Sequence, residues 1–269
     1  MTPPVALTIA GSDSSAGAGI QADVKTFAAL GVYAATAVTA VTAQSSSEVR
    51  LVFALPAAVV AAQVEAVLDD LPVRAVKTGM LATAEVVELV ADLAAAGRLP
   101  NLVVDPVMAA SVGTRLLDED AEHLYRTRLL PAATVFTPNR QEAEVLLGHP
   151  LPTLDEVRRA AIELAGLTRG VVVVTGGDTT ADGDGRVTDV VACGDRAVLL
   201  TAPRVDTANT HGTGCTFASA VAAGLARGSE PIAAVRAAQQ FVHRALAGAA
   251  TWEFASGHGP LDHFHWEEQ

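Results

Sequence analysis

Cysteine is scarce in this chain: Cys193 and Cys215 are the only two among 269 residues. Two thiols in a chain this long make neither a disulfide framework nor a zinc site. Basic residues are also few, 18 Lys and Arg against 30 Asp and Glu, for a formal charge of −12. That balance speaks against a nucleic-acid surface. No apolar run approaches the ~18 residues that a membrane span needs. The chain opens Met-Thr-Pro-Pro, without the basic n-region of a signal peptide, so the expected location is the cytoplasm. No Gly-Lys-Ser/Thr follows any glycine-rich loop, which excludes a P-loop.

What the chain does have is a steady alternation of buried strand and amphipathic helix. Half its residues are apolar and 18% are charged, as in a globular protein. Strands are predicted at 5–10, 33–44, 73–77, 102–104, 134–136 and 171–174, with an antiparallel pair at 187–192 and 197–202 around Gly194 and Asp195. Helices are predicted at 20–30, 57–71, 84–96, 118–130, 140–147, 154–167, 214–226 and 231–247. The four valines Val171 to Val174 are what a central strand covered on both faces requires. No linker interrupts the pattern, so residues 1–269 read as one α/β domain. Such sheets bind ligands at the C-terminal ends of their strands.

The strongest candidate site is Asn209-Thr-His-Gly-Thr-Gly-Cys-Thr216, just before an alanine-rich helix. A helix start leaves N–H groups unpaired and carries partial positive charge, which suits an anion. Gly212 and Gly214 allow close backbone approach, and Thr213 stands between them. Cys215 falls in the first turn, where a thiol is expected to ionise more easily. The plainer reading is a tight loop beside a half-buried Cys. The loop Gly11 to Gly19 follows the first strand, and its Gly17-Ala-Gly-Ile-Gln-Ala22 is a weak match to the dinucleotide fingerprint. Gln44 ends the second strand, where its amide could offer a donor and an acceptor to a flat heterocycle, or simply be solvated. Asp105 ends a buried strand and could support a metal or a phosphate-bound water, or cap a turn. Asn139 and Glu142 sit three apart at a helix start, which suits Mg²⁺ and phosphate and equally suits helix capping. Thr175-Gly176-Gly177 offers amides at the end of the valine strand.

These segments together resemble the hydroxymethylpyrimidine/phosphomethylpyrimidine kinases of thiamine biosynthesis, within the ribokinase-like superfamily. The matching stretches are Leu7-Thr-Ile-Ala-Gly-Ser-Asp13, Gly17-Ala-Gly-Ile-Gln-Ala-Asp-Val-Lys-Thr-Phe27, Val104-Asp-Pro-Val-Met108, Thr137-Pro-Asn139, Asn209 to Thr216 and Gly257-His-Gly-Pro-Leu-Asp-His-Phe264. The resemblance implies a three-layer sandwich, with a mostly parallel sheet of about eight strands between helices. It implies an ATP- and Mg²⁺-dependent kinase that phosphorylates 4-amino-5-hydroxymethyl-2-methylpyrimidine and then its monophosphate. By position, Gln44 would read the pyrimidine, and Gly11, Asp23, Met80 and Val107 would line its pocket. Gly212, Thr213 and Gly214 would form the anion hole, with Cys215 where sugar kinases carry an Asp base. Asp105 and Glu142 would organise Mg²⁺, and Asn139, Thr175 and Gly177 would touch ATP or its phosphates. A homodimer is expected. Two departures stand out: Thr175 to Asp178 replaces a common Lys-Gly-Gly-His, and Ala208 replaces a common Lys, so cations near the ATP phosphates are lost. A pyridoxine or pyridoxal kinase is the alternative within the class, and a non-catalytic pyrimidine-binding regulator the alternative outside it.

Overall fold

A computed structural model describes residues 2–108, 119–177, 185–253 and 256–265. Asp118, the predicted start of one helix, and Asp178 of the Thr-Gly-Gly-Asp segment lie outside the described residues.

The first half runs β1 (Val5–Asp13), α1 (Gly19–Ala29), β2 (Tyr33–Gln44), β3 (Val49–Ala54), α2 (Ala57–Asp70), β4 (Val73–Thr78), α3 (Ala84–Ala95) and β5 (Val103–Val104). It continues through α4 (Glu119–Leu124), a π-helical stretch (Tyr125–Leu129), α5 (Leu130–Ala132), β6 (Val135–Phe136), α6 (Arg140–Leu147) and α7 (Leu154–Ala165). β7 (Val171–Val174), β8 (Arg186–Cys193), β9 (Arg196–Pro203), α8 (Thr213–Ala226) and α9 (Pro231–Gly248) complete it. The nine strands form one sheet in the order β3-β2-β1-β4-β5-β6-β7-β8-β9. The six from β2 to β7 are parallel, while β3, β8 and β9 pair antiparallel at the edges.

Side-chain alternation divides the core in two. Leu7, Ile9, Val76, Val104 and Phe136 face α2, α3, α6 and α7. Ala6, Ala75, Val103, Val135 and Val173 face α1, α8 and α9. Period-two strands buried on both faces therefore produce three layers. α8 is buried almost all round, so its run of alanines lets it lie close beneath the sheet.

Three elements differ from the expectation. β3 makes the sheet nine-stranded rather than about eight; four of its six residues are exposed. An edge strand held by main-chain bonds to β2 needs no buried face, so it leaves no apolar alternation to read. The predicted helix over 118–130 changes to π geometry at Tyr125. β1 runs three residues beyond Ala10, with a register shift between Ala10 and Ser12. That extension carries Asp13 to the rim of the sheet.

Candidate active site

The chain order reverses at β1: it moves outward to β2 and then returns to β4 on β1's other side. Between the carboxyl ends of β1 and β4 lies the crevice where such sheets place ligands. Asp13, the segment after Thr78, Asp105, Thr137 and Thr175 end or follow β1, β4, β5, β6 and β7 along this rim. The start of α8 approaches from the other side. Gly212 has φ +85°, and a Cβ there would lie 1.9 Å from the carbonyl oxygen of Gly17. No side chain fits this contact, and it latches the loop before α8 onto the loop after β1.

Gly11, Met80 and Val107 converge as expected. Met80 fills the space a Gly11 side chain would take, 2.4 Å from that missing Cβ. With Ala40, Ala82, Ala54 and Val107 it forms a small apolar cluster separate from the two main cores. Gln44 stands half-buried at the end of β2, 3.4 Å from His211 Nε2. Asp23 takes a different place from the one expected of it. It is fully buried, accepting from Thr8 Oγ1 and Ser219 Oγ at 2.6 Å each and from Lys77 Nζ at 3.0 Å. A carboxylate so fully engaged lies behind the pocket wall and not on its surface.

Lys77 is the buried cation of the site. Burial works against its charge, but Asp23, Cys215 and Asp105 outweigh it and hold the ammonium above the ordinary lysine range. Burial pushes Asp105 up to about 6, against Lys77 and with some help from Asp23. Burial likewise pushes the Cys215 thiol up to about 12; Lys77 opposes this and Asp23 and Asp105 add to it. The first-turn position was expected to ease ionisation of Cys215, and desolvation reverses that expectation. Its residue surface is still half-exposed, so the thiol is enclosed by protein at the edge of an opening.

Thr213 N–H and Oγ1 both turn back to Thr210 O, at 3.2 and 2.6 Å. The N–H groups of Gly214 and Cys215 have no acceptor among the described residues, and the space where a Gly214 side chain would stand is open. Two free amides at the start of a helix of 14 residues have the chemistry to receive an oxyanion. Thr213 thereby shapes the loop, while the amides of the next two residues face outward.

Capping is realised at α6. Asn139 Oδ1 accepts from Glu142 N–H at 2.9 Å, and Glu142 Oε2 accepts from Asn139 N–H at 2.8 Å. Glu142 is nonetheless largely buried, and after burial itself Asp105 and Glu142 both raise the pKa of Tyr125. Asp105 Oδ2, Thr78 Oγ1 and the Tyr125 hydroxyl are buried without a partner among the described residues. An orphaned, buried carboxylate oxygen at the end of a strand fits a Mg²⁺ held mainly by phosphates and water. No group of three or more His, Cys, Asp or Glu among the described residues is placed to hold a metal. Thr175 is bridged to Asn139 by Thr175 N–H to Pro138 O at 3.0 Å. Asp189 accepts from Gly176 N–H at 2.9 Å, and Gly177 has open space beside it.

The family model described as phosphomethylpyrimidine kinase matches residues 13–262. The chain belongs to this family. It is 47% identical to a hydroxymethylpyrimidine/phosphomethylpyrimidine kinase of Streptomyces coelicolor, over 98% of this chain and 95% of the other. Among solved structures, the ADP complex of a Bacillus subtilis pyridoxal kinase is 38% identical with TM-score 0.89, covering both chains fully (100% of each). A phosphomethylpyrimidine kinase from Clostridium difficile 630 is 36% identical with TM-score 0.77, over 90% of this chain and 99% of that one.

As a phosphomethylpyrimidine kinase family member, the chain is a phosphotransferase with the ribokinase-like fold. Four of its site residues were not assigned roles on sequence grounds: Asp13, Lys77, Asp189 and His211. A buried Lys in a valine-rich strand was the one available signal, because an unpaired ammonium cannot be buried. The pairing of Asp13 with His211 spans 198 positions, and local pattern does not reach that far.

Proposed function

We propose that this chain transfers the γ-phosphoryl group of ATP to the hydroxymethyl group of 4-amino-5-hydroxymethyl-2-methylpyrimidine, and then phosphorylates the monophosphate to the diphosphate. The observation that carries this reading is the juxtaposition of Gln44 with the free amides at the start of α8, joined through His211. A carboxamide that can read a heterocycle stands beside a site that can hold a transferring phosphoryl group. In this reading Gly11, Met80 and Val107 give the ring an apolar floor, with Asp23 supporting it from behind through Lys77. Gly214 and Cys215 N–H groups stabilise the equatorial oxygens, and Gly212 and Thr213 fix their direction. Cys215, kept a thiol by its burial, orients the attacking hydroxyl, whose proton passes to a phosphoryl oxygen as the new O–P bond forms and ADP leaves. Mg²⁺, when bound, neutralises phosphate charge; Asp105 and Glu142 would hold its waters. Asn139, Thr175 and Gly177 would cradle ATP, with Asp189 setting the loop through Gly176.

Vitamin B6 is the second reading, because the fold matches a pyridoxal kinase closely. The named relatives favour the pyrimidine. We also take the enzyme to act as a homodimer in the cytoplasm; no helix among the described residues is long and apolar enough to cross a membrane. Direct competition between hydroxymethylpyrimidine and pyridoxal, with MgATP, separates the two readings. A kcat/KM ratio favouring the pyrimidine supports the proposal, and one favouring pyridoxal overturns it.

A further inference from the structure

His211 is not in the reacting set, yet it is held from three sides. Its Nε2 lies 2.8 Å from Asp13 Oδ2. Its backbone N–H donates to Gly259 O at 2.9 Å, which ties it to the C-terminal segment. Its ring lies against Gly17, where a Cβ would come 2.2 Å from Cδ2. Asp13 is fixed just as firmly, accepting from the N–H groups of Ser15 and Ala18 and from the Ser15 hydroxyl, all at 2.8 Å. Burial works to raise the Asp13 pKa, but His211 and these donors outweigh it and hold it below the ordinary aspartate value.

A carboxylate only accepts, so His211 must present a protonated Nε2 to it. The same Nε2 is 3.4 Å from the end of Gln44 recorded as its amide nitrogen. That sets N–H against N–H. Thr42 Oγ1, with one proton, faces two acceptors: Ser12 O at 3.0 Å and the end of Gln44 recorded as oxygen at 3.2 Å. The two ends of a carboxamide have one shape, and only hydrogen bonding tells them apart. Turning Gln44 by 180° about its last torsion removes the opposed N–H groups and leaves Thr42 a single acceptor. Its oxygen then faces the Nε2–H that His211 gives chiefly to Asp13 and shares it at the longer distance, its NH₂ donates to Thr42 Oγ1, and Thr42 gives its proton to Ser12.

We propose that Asp13 and His211 are positioning residues that fix which way the Gln44 carboxamide faces, and thereby select the heterocycle. This rests on the proposed function, in which Gln44 reads the ring. A 4-aminopyrimidine offers an amine donor beside a ring-nitrogen acceptor. An amide of fixed sense, with one N–H and one oxygen lone pair left over, matches that pair in a single orientation. A 3-hydroxypyridine such as pyridoxal has no such amine edge.

The test begins with the unmodified chain. Ring-nitrogen chemical shifts of His211, assigned through bonds from its backbone, should show Nε2 protonated. An unprotonated Nε2 would overturn the proposal without any variant. Next, Asp13→Asn gives His211 a neighbour that can donate, which removes the need for a protonated Nε2. The expected result is a KM for hydroxymethylpyrimidine raised about tenfold or more, an unchanged KM for ATP, and weaker discrimination against pyridoxal. Unchanged pyrimidine KM and selectivity, or a uniform loss for every substrate, would overturn it. If the unmodified enzyme failed to turn over hydroxymethylpyrimidine at all, the proposed function would fall instead, and the two failures remain distinguishable.

Discussion

At Cys215 two demands conflict: the thiol must stand close to the reacting hydroxyl, yet its enclosure pushes it up to about 12. Loose phosphoryl-transfer transition states require little base strength, so position matters more than prior ionisation. A positioned base or proton acceptor typically contributes about 10²- to 10⁴-fold. Cys215→Ala is expected to lower kcat within that range while pyrimidine binding, measured by calorimetry, is largely kept. Full turnover in the variant would reduce Cys215 to packing. Asp105 gives a pH prediction of definite sign. Its native pKa of about 6 exceeds the ordinary 3.8, so the native chain holds an extra proton between those values. Its contribution therefore favours the fold at about pH 4 and is lost as pH rises to about 6. Asp105→Asn should remove that decline from the thermal midpoints while abolishing most metal-dependent turnover; an equal decline in the variant would contradict the account.

At the level of the element, α6 carries the capping box that is one of the two readings sequence left open, and the metal reading is the proposal tested next. Its capping box occupies one oxygen of Glu142, and the same helix start leaves that carboxylate largely buried. Glu142→Gln preserves an acceptor at the third helical position and removes the charge. We expect a raised Mg²⁺ requirement with a melting midpoint close to that of the parent. Asn139→Ala removes a cap and should cost about 1 kcal/mol of stability, read from urea unfolding. If both variants changed only stability, the carboxylate would be a cap and nothing more. Most elements were legible because their burial leaves a pattern: Val171–Val174, Tyr33–Gln44 and Arg140–Leu147 were read with their observed bounds. β3 was not, since four of its six residues face solvent. The Thr213–Cys215 loop was legible from its glycines, although the free amides are those of Gly214 and Cys215.

For the molecule as a whole, the Asp23–Lys77 pair joins β4 to α1, and Ser219 and Thr8 add α8 and β1. Four elements thus meet at one buried charge pair beneath the site. Lys77→Met leaves Asp23 buried without its cation, which should cost roughly 3–5 kcal/mol of unfolding free energy. A smaller loss, within surface-mutation range, would show that the pair is solvated. These contacts join residues 54 and 196 positions apart, so no local window reveals them. The family motifs fall on loops that follow strand ends, because each such loop needs its own glycine or polar residue there. The central claim is two-step pyrimidine phosphorylation, and product mass spectrometry with hydroxymethylpyrimidine monophosphate, ATP and Mg²⁺ tests it most directly. The account predicts the diphosphate; an untouched monophosphate, under conditions where pyridoxal is turned over, would contradict it.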